Sequence, residues 1–414
     1  MRKPVIGWAM CDWANSAFAT TVMAGLFPVY FKQYWNAGIA ATDSTFRLGL
    51  ANGLASLVVA LTAPLLGAIA DKSGARVRLL FLFTVLGSAM TAALFLVARG
   101  DWVSATALYI IASLGFWGGN QFYDSLLLDV ASEPELDLVS GYGYALGYLG
   151  GGLLFALNVW MVTQPHSFGL PDASAAVRWS FVSVGVWWLL FTIPVLLWVR
   201  EARSAHPLRA LAAIRAGARE LAGTVRALRG ESTLVWFLLA YWFYIDGVNT
   251  IIKMAVDYGL ALGLKQNSLI EALLLVQFIG FPAALAFGWL GKRLGPKTGI
   301  FIAIAVYAGC AAYAYFLQTE TQFFILAIVI GLVQGGIQSL SRSLFGRLVP
   351  QGKAGEFYGF YNMMGKAAAV LGPTLTGVVA LLTHDSRLAI VSVSILFVIG
   401  AVFLSRVRLA AAQG

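Results

Sequence analysis

The residues best placed to do chemistry are acids and lysines embedded in apolar runs. Asp12-Trp13-Ala14-Asn15-Ser16 lies in the first run, and 234 residues later Asp246-Gly247-Val248-Asn249-Thr250 repeats its order of acid, amide and hydroxyl. On a helix, positions three and four apart share a face, so each acid sits beside its amide and hydroxyl. An acid inside a membrane span costs about 2.5–3.5 kcal/mol on insertion scales, so it faces a cavity or a partner. Lys253 extends the second stripe outward from Asp246, with Asp257 beyond it. Lys366 falls nine residues past Phe357, on the order of 14 Å into its own span. Carboxylates on one side and an ammonium on the other suit a zwitterion. Asp12 or Asp246 would hold its amino group and Lys366 its carboxylate, while Tyr123 or Tyr148 packs the side chain. Gln121 and Gln338, each just after a Gly-Gly pair or one residue beyond it, are candidates for the same lining. The alternative for all of these is structural: lysines paired with nearby acids, and amides bonding helix to helix.

The elements that must position these residues follow from composition. The chain has 414 residues, of which 59% are hydrophobic and 11% charged, too little charge for a water-facing surface. Twelve apolar stretches are long enough to cross a bilayer: 5–31, 48–70, 79–98, 103–128, 138–163, 177–199, 234–260, 268–290, 298–317, 322–346, 357–382 and 387–405. Their continuous apolar character argues for helices and against a β-barrel. With the N-terminus inside, 20 of 28 Lys and Arg fall on the inner side, so the positive-inside rule places both termini in the cytoplasm. The net charge of +9 is accounted for in this way and is no nucleic-acid footprint. The two cysteines fall in spans and the three histidines are isolated, so no disulfide, metal centre, cofactor or enzymatic set is expected.

The chain reads as a duplication. The loop after the second span, Gly67-Ala68-Ile69-Ala70-Asp71-Lys72-Ser73-Gly74-Ala75-Arg76, returns as Gly288-Trp289-Leu290-Gly291-Lys292-Arg293-Leu294-Gly295-Pro296-Lys297. Gly118-Gly119 pairs with Gly335-Gly336, and Gly141 and Gly147 with Gly359 and Gly365. Gly67 permits close helix approach, Gly74 a tight turn, and Asp71 can face a helix N-terminus. Lys292 stands in the place of Asp71, so the second copy is expected to be a weaker gate. Asp124 and Arg342, toward the cytoplasmic ends of spans 4 and 10, could pair across the halves. Between the halves, 200–231 is Arg-rich with apolar residues at spacings of three and four, which predicts an amphipathic helix on anionic lipid.

The first loop resembles the cytoplasmic 2–3 loop of the major facilitator superfamily, through Gly67, Asp71, Lys72, Gly74 and Arg76. Cys11-Asp12-Trp13-Ala14-Asn15-Ser16-Ala17-Phe18, Gly335-Gly336-Ile337-Gln338-Ser339-Leu340-Ser341-Arg342 and Glu356-Phe357-Tyr358-Gly359-Phe360-Tyr361-Asn362 are similar to a branch that includes the fungal vacuolar amino-acid effluxers and bacterial relatives. The resemblance implies an all-α membrane protein of two pseudo-symmetric six-helix bundles, 1–199 and 232–414, joined by 200–231. It further implies a monomeric permease of the inner cell membrane. The expected function is alternating-access transport of a small solute, an amino acid or related zwitterion favoured, with protons a candidate coupling ion. The competing expectations are an exporter of amphipathic or cationic compounds and a solute receptor of transporter shape.

Overall fold

The computed structural model describes residues 2–39, 41–201, 232–261, 263–368 and 371–408. The reading of an amphipathic helix within 200–231 therefore falls outside the described residues, save at Arg200 and Glu201.

Apolar runs fold as helices in hydrocarbon because only there can every backbone N–H and C=O be satisfied within one segment. The first, α1, starts as Lys3–Ala17 and continues without a break. It passes through a π-helical stretch Phe18–Leu26, a turn Phe27–Tyr30 and a second π stretch Phe31–Trp35. Then follow α2 (Ala41–Ser73), α3 (Arg76–Ala93), α4 (Trp102–Ser125), α5 (Leu136–Thr163) and α6 (Ala173–Trp198). The second half holds α7 (Ser232–Ala261), α8 (Gln266–Leu294), α9 (Pro296–Ala314) and α10 (Glu320–Leu348). It ends with α11, described over Ala354–Ala367 and Leu371–Thr383, and α12 (Ser386–Ser392 and Ser394–Ser405). Among the described residues eleven helices other than α1 are long and apolar enough to cross a membrane. With α1 the spans number twelve.

One expected boundary needs correction. The span expected at 5–31 runs to Trp35, because the π stretches carry the helix on past Pro28. The span expected over 357–382 lies within Ala354–Thr383, described over Ala354–Ala367 and Leu371–Thr383.

Caps fix the helix starts. Asp101 accepts the Ser104 N–H at 3.1 Å before α4, and Asp172 the Ala175 N–H at 2.7 Å before α6. Thr319 and Gln322 form a capping box before α10. Both termini lie at one end, here called the terminal end. There Arg2 pairs with Glu135 beside the start of α5, and Lys297 of α9 donates to the Val407 carbonyl at 2.7 Å.

Buried apolar residues separate by half. One cluster draws on residues from Leu234 to Val407, and two others on residues from Val5 to Val199. Outward-facing leucines such as Leu54, Leu57 and Leu61 on α2 remain exposed, forming the belt that lipid covers. The bundles meet along two glycine crossings. At α5–α8 a Cβ on Gly141 would lie 2.9 Å from the Ala284 carbonyl oxygen and 3.1 Å from the Gly288 Cα. At α2–α11 a Cβ on Gly359 would lie 2.6 Å from the Ala63 carbonyl oxygen, and one on Gly355 2.8 Å from that of Gly67. Gly67 and Gly288 are repeat partners, as are Gly141 and Gly359, so the two crossings are equivalent under the duplication.

Candidate functional site

At the seam between the bundles one guanidinium gathers five helices. Arg342 of α10 is buried. Its Nη1 donates to Asp124 Oδ1 of α4 at 3.1 Å and lies 3.7 Å from Asp12 Oδ2 of α1. Its Nε donates to Ser140 Oγ at 3.0 Å and its Nη2 to the Ser140 carbonyl at 2.9 Å, both on α5. The rings of Trp8, Tyr123 and Tyr144 surround the guanidinium carbon at 4.7, 5.1 and 4.4 Å from their centroids. The carboxylates are held in turn: Tyr123 donates to Asp12 Oδ2 at 3.0 Å, and Asn362 of α11 to Asp124 Oδ2 at 3.0 Å. Arginine suits this place because its planar fork satisfies several acceptors while its faces stack on rings. Three groups from the first half thus converge on one cation from the second.

Two further ties lie nearer the terminal end. Asp71 receives the Gly355 and Glu356 N–H groups, each at 2.9 Å, so its carboxylate caps the N-terminus of α11. Arg76 stands beside it, 2.9 Å from Asp129 and 3.6 Å from Glu201. Burial raises the Glu201 carboxyl above its ordinary range, against the opposing pull of the Arg76 backbone N–H and side chain. Gly74 takes a φ of +59° to turn the chain between α2 and α3, and Lys72 lies half-buried at the end of α2. Across the seam, Arg347 of α10 grips Asp137 of α5 with two bonds of 2.9 Å, and Ser343 donates to the same carboxylate at 2.5 Å.

The second loop has no acid at Lys292, and the tie at its crossing is built differently. A Cβ on Gly291 would lie 3.1 Å from Asp137. The acid at this crossing therefore sits on α5 and is met by Arg347, where the first crossing has its acid on α2 and is met by backbone N–H groups.

The other residues singled out by spacing are placed as follows. Asn15 donates to Asn120 Oδ1 at 2.6 Å. Tyr148 is buried, its ring 2.7 Å from where a Cβ on Gly280 or on Gly335 would stand, which puts it between α8 and α10. Gln121 is fully buried, and neither of its amide atoms has a hydrogen-bond partner among the described residues. Gln338 and Asn249 are half-buried. Lys366 lies over the Trp117 ring, from α11 to α4 across the seam. Lys253 is on α7, but its side chain is outside those described, as is that of Asp257.

Asp246 is engaged within its own bundle. Its Oδ2 accepts the Gly372 N–H of α11 at 2.9 Å, and Thr250 approaches Oδ1 at 3.4 Å. Asp246→Asn keeps the shape but weakens this charge-assisted bond. It is expected to lower the melting temperature in detergent by several degrees, for a loss of about 1–3 kcal/mol. An unchanged melt combined with lost transport would instead place Asp246 against solute.

Comparison with known proteins identifies the architecture. The family described as vacuole effluxer Atg22 like matches residues 37–136 and 131–413. The chain belongs to that family. Over 404 residues, 96% of this chain and 93% of the other, it is 38% identical to an uncharacterized MFS-type transporter, YxiO, of Bacillus subtilis (strain 168). It is 27% identical over 278 residues to autophagy-related protein 22 of Yarrowia lipolytica, covering 60% of this chain and 46% of that protein. The Atg22-like chain described here thus spans about half the length of such fungal relatives. Among solved structures, the transporter FucP in its outward conformation superposes with a TM-score of 0.73 at 12% identity, over 99% of this chain and 100% of that one. The human organic anion transporter MFSD10 gives 0.71 at 14% identity, over 97% and 98%. At such identities the likeness shows the fold, that of the major facilitator superfamily, and with the family match it makes this Atg22-like chain a transporter by kind.

Spacing alone missed Ser140, Asp137, Arg347, Asn362 and Trp117. Each acts on a partner more than two hundred residues away, Ser140 on Arg342 and Asn362 on Asp124 among them, so no local pattern reports it. One signal was present: a repeat that loses its acid at Lys292 invites a search for a replacement nearby.

Proposed function

We propose that this protein is a secondary active transporter that moves a small solute by alternating access, with an amino acid or related zwitterion as cargo. The observation that supports this reading is the uneven seam. Its terminal half is tied by charge-assisted bonds at Arg342, Asp71 and Asp137, all of which can be exchanged for water. A seam held this way can open without unfolding either bundle. With the terminal end taken as cytoplasmic, as the distribution of Lys and Arg favours, the arrangement corresponds to a state closed on the inside.

The charges around the seam favour a zwitterion. Lys366 stands one helical turn beyond Asn362 on α11, roughly 6 Å outward of the residue that holds Asp124. A solute entering from the far side meets an ammonium there, then the Asp12 and Asp124 carboxylates, with Trp117 and Tyr144 as flanking rings. Its carboxylate would be drawn to Lys366 and its ammonium to Asp12, which lies farther from the guanidinium than Asp124. Protons are the candidate coupling ion, taken up at the same carboxylates as they become exposed.

A solute screen in proteoliposomes tests the reading. Amino-acid uptake is expected in the intact protein and at least a tenfold loss in Lys366→Ala, with Asp12→Asn losing as much. Uptake unchanged in Lys366→Ala would remove that residue from the site. Flux of lipophilic cations without flux of any amino acid would overturn the zwitterion reading and favour an exporter of amphipathic compounds. Binding without flux would overturn transport itself.

A further inference from the structure

A cavity of about 400 Å³ lies between the bundles at the end opposite the termini, and the seam chemistry makes no use of it. Its walls are the last turns of α1 and α5 and the first turns of α6 and α8. Among the described residues no lining residue carries a formal charge, so it is not built for a free amino acid. We propose that it holds one acyl chain of a phospholipid, from the leaflet on the side away from the termini.

Length, polarity and surroundings select this occupant. On α1 the lining runs from Ala24 to Tyr34, about 15 Å of helix, or roughly half of a 30 Å hydrocarbon core. The cavity is therefore one leaflet deep. Its polar groups, Gln33, Tyr34 and the Tyr30 hydroxyl, sit at the outer end, the hydroxyl 2.7 Å from Ser174 Oγ. Its deep end is Ala24, Gly25, Phe155 and Leu273, with no hydrogen-bonding side chain. A lipid has this same order, a polar group outward and a chain inward. Water is poorly suited to the deep end, because a buried water needs two or more polar partners. The cavity also borders the lipid-covered face: Val29, which lines it, is 38% exposed, and Leu157 and Trp160 on α5 are 43% and 56% exposed.

The backbone of α1 is shaped around the same space. Its π-helical stretches, Phe18–Leu26 and Phe31–Trp35, overlap the two ends of the lining segment, at Ala24, Gly25 and Leu26 and at Gln33 and Tyr34. Such widened turns are rare and concentrate where a helix makes room for something. Gly25 sits in the first of them, and a Cβ there would come within 2.7 Å of the Phe155 ring. The proposal does not depend on which solute crosses the protein.

The test uses the full chain in phosphatidylcholine liposomes doped with a phospholipid bearing a diazirine at mid-chain. After irradiation, labelled peptides are mapped by mass spectrometry. Peptides 24–34, 155–162 and 269–273 are expected to label at least fivefold above the exposed face of α3 around Leu82. Val159→Trp and the milder Val159→Phe, which fill the cavity, are expected to remove that excess in proportion to added volume, with melting temperature as the check on folding. Labelling no higher than at Leu82, or an excess that survives in whichever filled variant melts normally, overturns the proposal. So does displacement of the label by millimolar amino acids in the water phase, which would put the cavity on the solute route. Amino-acid flux is read in the same liposomes without irradiation, so failure of this site and failure of the transport reading are distinguishable.

Discussion

Arg342→Ala is expected to abolish flux and to cost about 3–5 kcal/mol of stability, the usual result of removing one partner from a buried ion cluster. The guanidinium makes three hydrogen bonds to Asp124 and Ser140, and Asp12 stands 3.7 Å away. Alanine would leave two buried carboxylates facing one another without a cation and would empty the space between the rings of Trp8, Tyr123 and Tyr144. Arg342→Lys separates stability from mechanism. A single ammonium can neutralise the acids but cannot reach both Asp124 and Ser140 as the planar fork does. It is expected to retain most of the melting temperature while losing at least tenfold in flux. Arg342→Ala melting and transporting like the unaltered protein would show that the convergence of α1, α4 and α5 on this cation is incidental.

Gly67→Leu is expected to hold the terminal end open. Gly67 and Gly355 meet with no side chain between them, the Gly67 carbonyl oxygen lying 2.8 Å from where a Cβ on Gly355 would stand. A leucine there drives α2 off α11 and draws Asp71 away from the Gly355 and Glu356 N–H groups. Overpacking of this kind costs roughly 1–3 kcal/mol, and the cost falls on the closed state alone. The readout is modification of a cysteine placed at Asn362 by a membrane-impermeant thiol reagent applied from the terminal end. Expected is a rate at least tenfold higher in the Gly67→Leu background. Equal rates in the two backgrounds would mean that the crossing does not control access. Asp71→Asn tests the capping half of the same contact and is expected to act in the same direction with a smaller effect.

The fold was largely legible because hydrocarbon leaves a segment so few options. Long apolar runs gave the spans, and the cation asymmetry implied one end for both termini. Part of the candidate site was legible too, since Asp12 and Asp124 are acids inside spans, where acids are costly, and Asp71 belongs to a loop pattern. What spacing could not supply was partnership. Asp124 meets Arg342 at a separation of 218 residues, and nothing local to either sequence reports the other. Asp246 looked equivalent to Asp12 because its neighbours are the same types, yet its carboxylate takes up the Gly372 N–H of α11. The π-helical widening of α1 at Phe18–Leu26 and Phe31–Trp35 was not read from the spacing of its apolar residues.

The glycine crossings bear on how fast the protein can cycle. Where Gly67 meets Gly355 and Gly141 meets Gly288, the helices touch backbone to backbone, with no interlocked side chains to be withdrawn as they part. Little dispersion energy is lost there on separation. Under the alternating-access reading proposed above, the ionic ties at Arg342, Asp71 and Asp137 would then carry a large share of the switching barrier, and ionic strength would tune turnover.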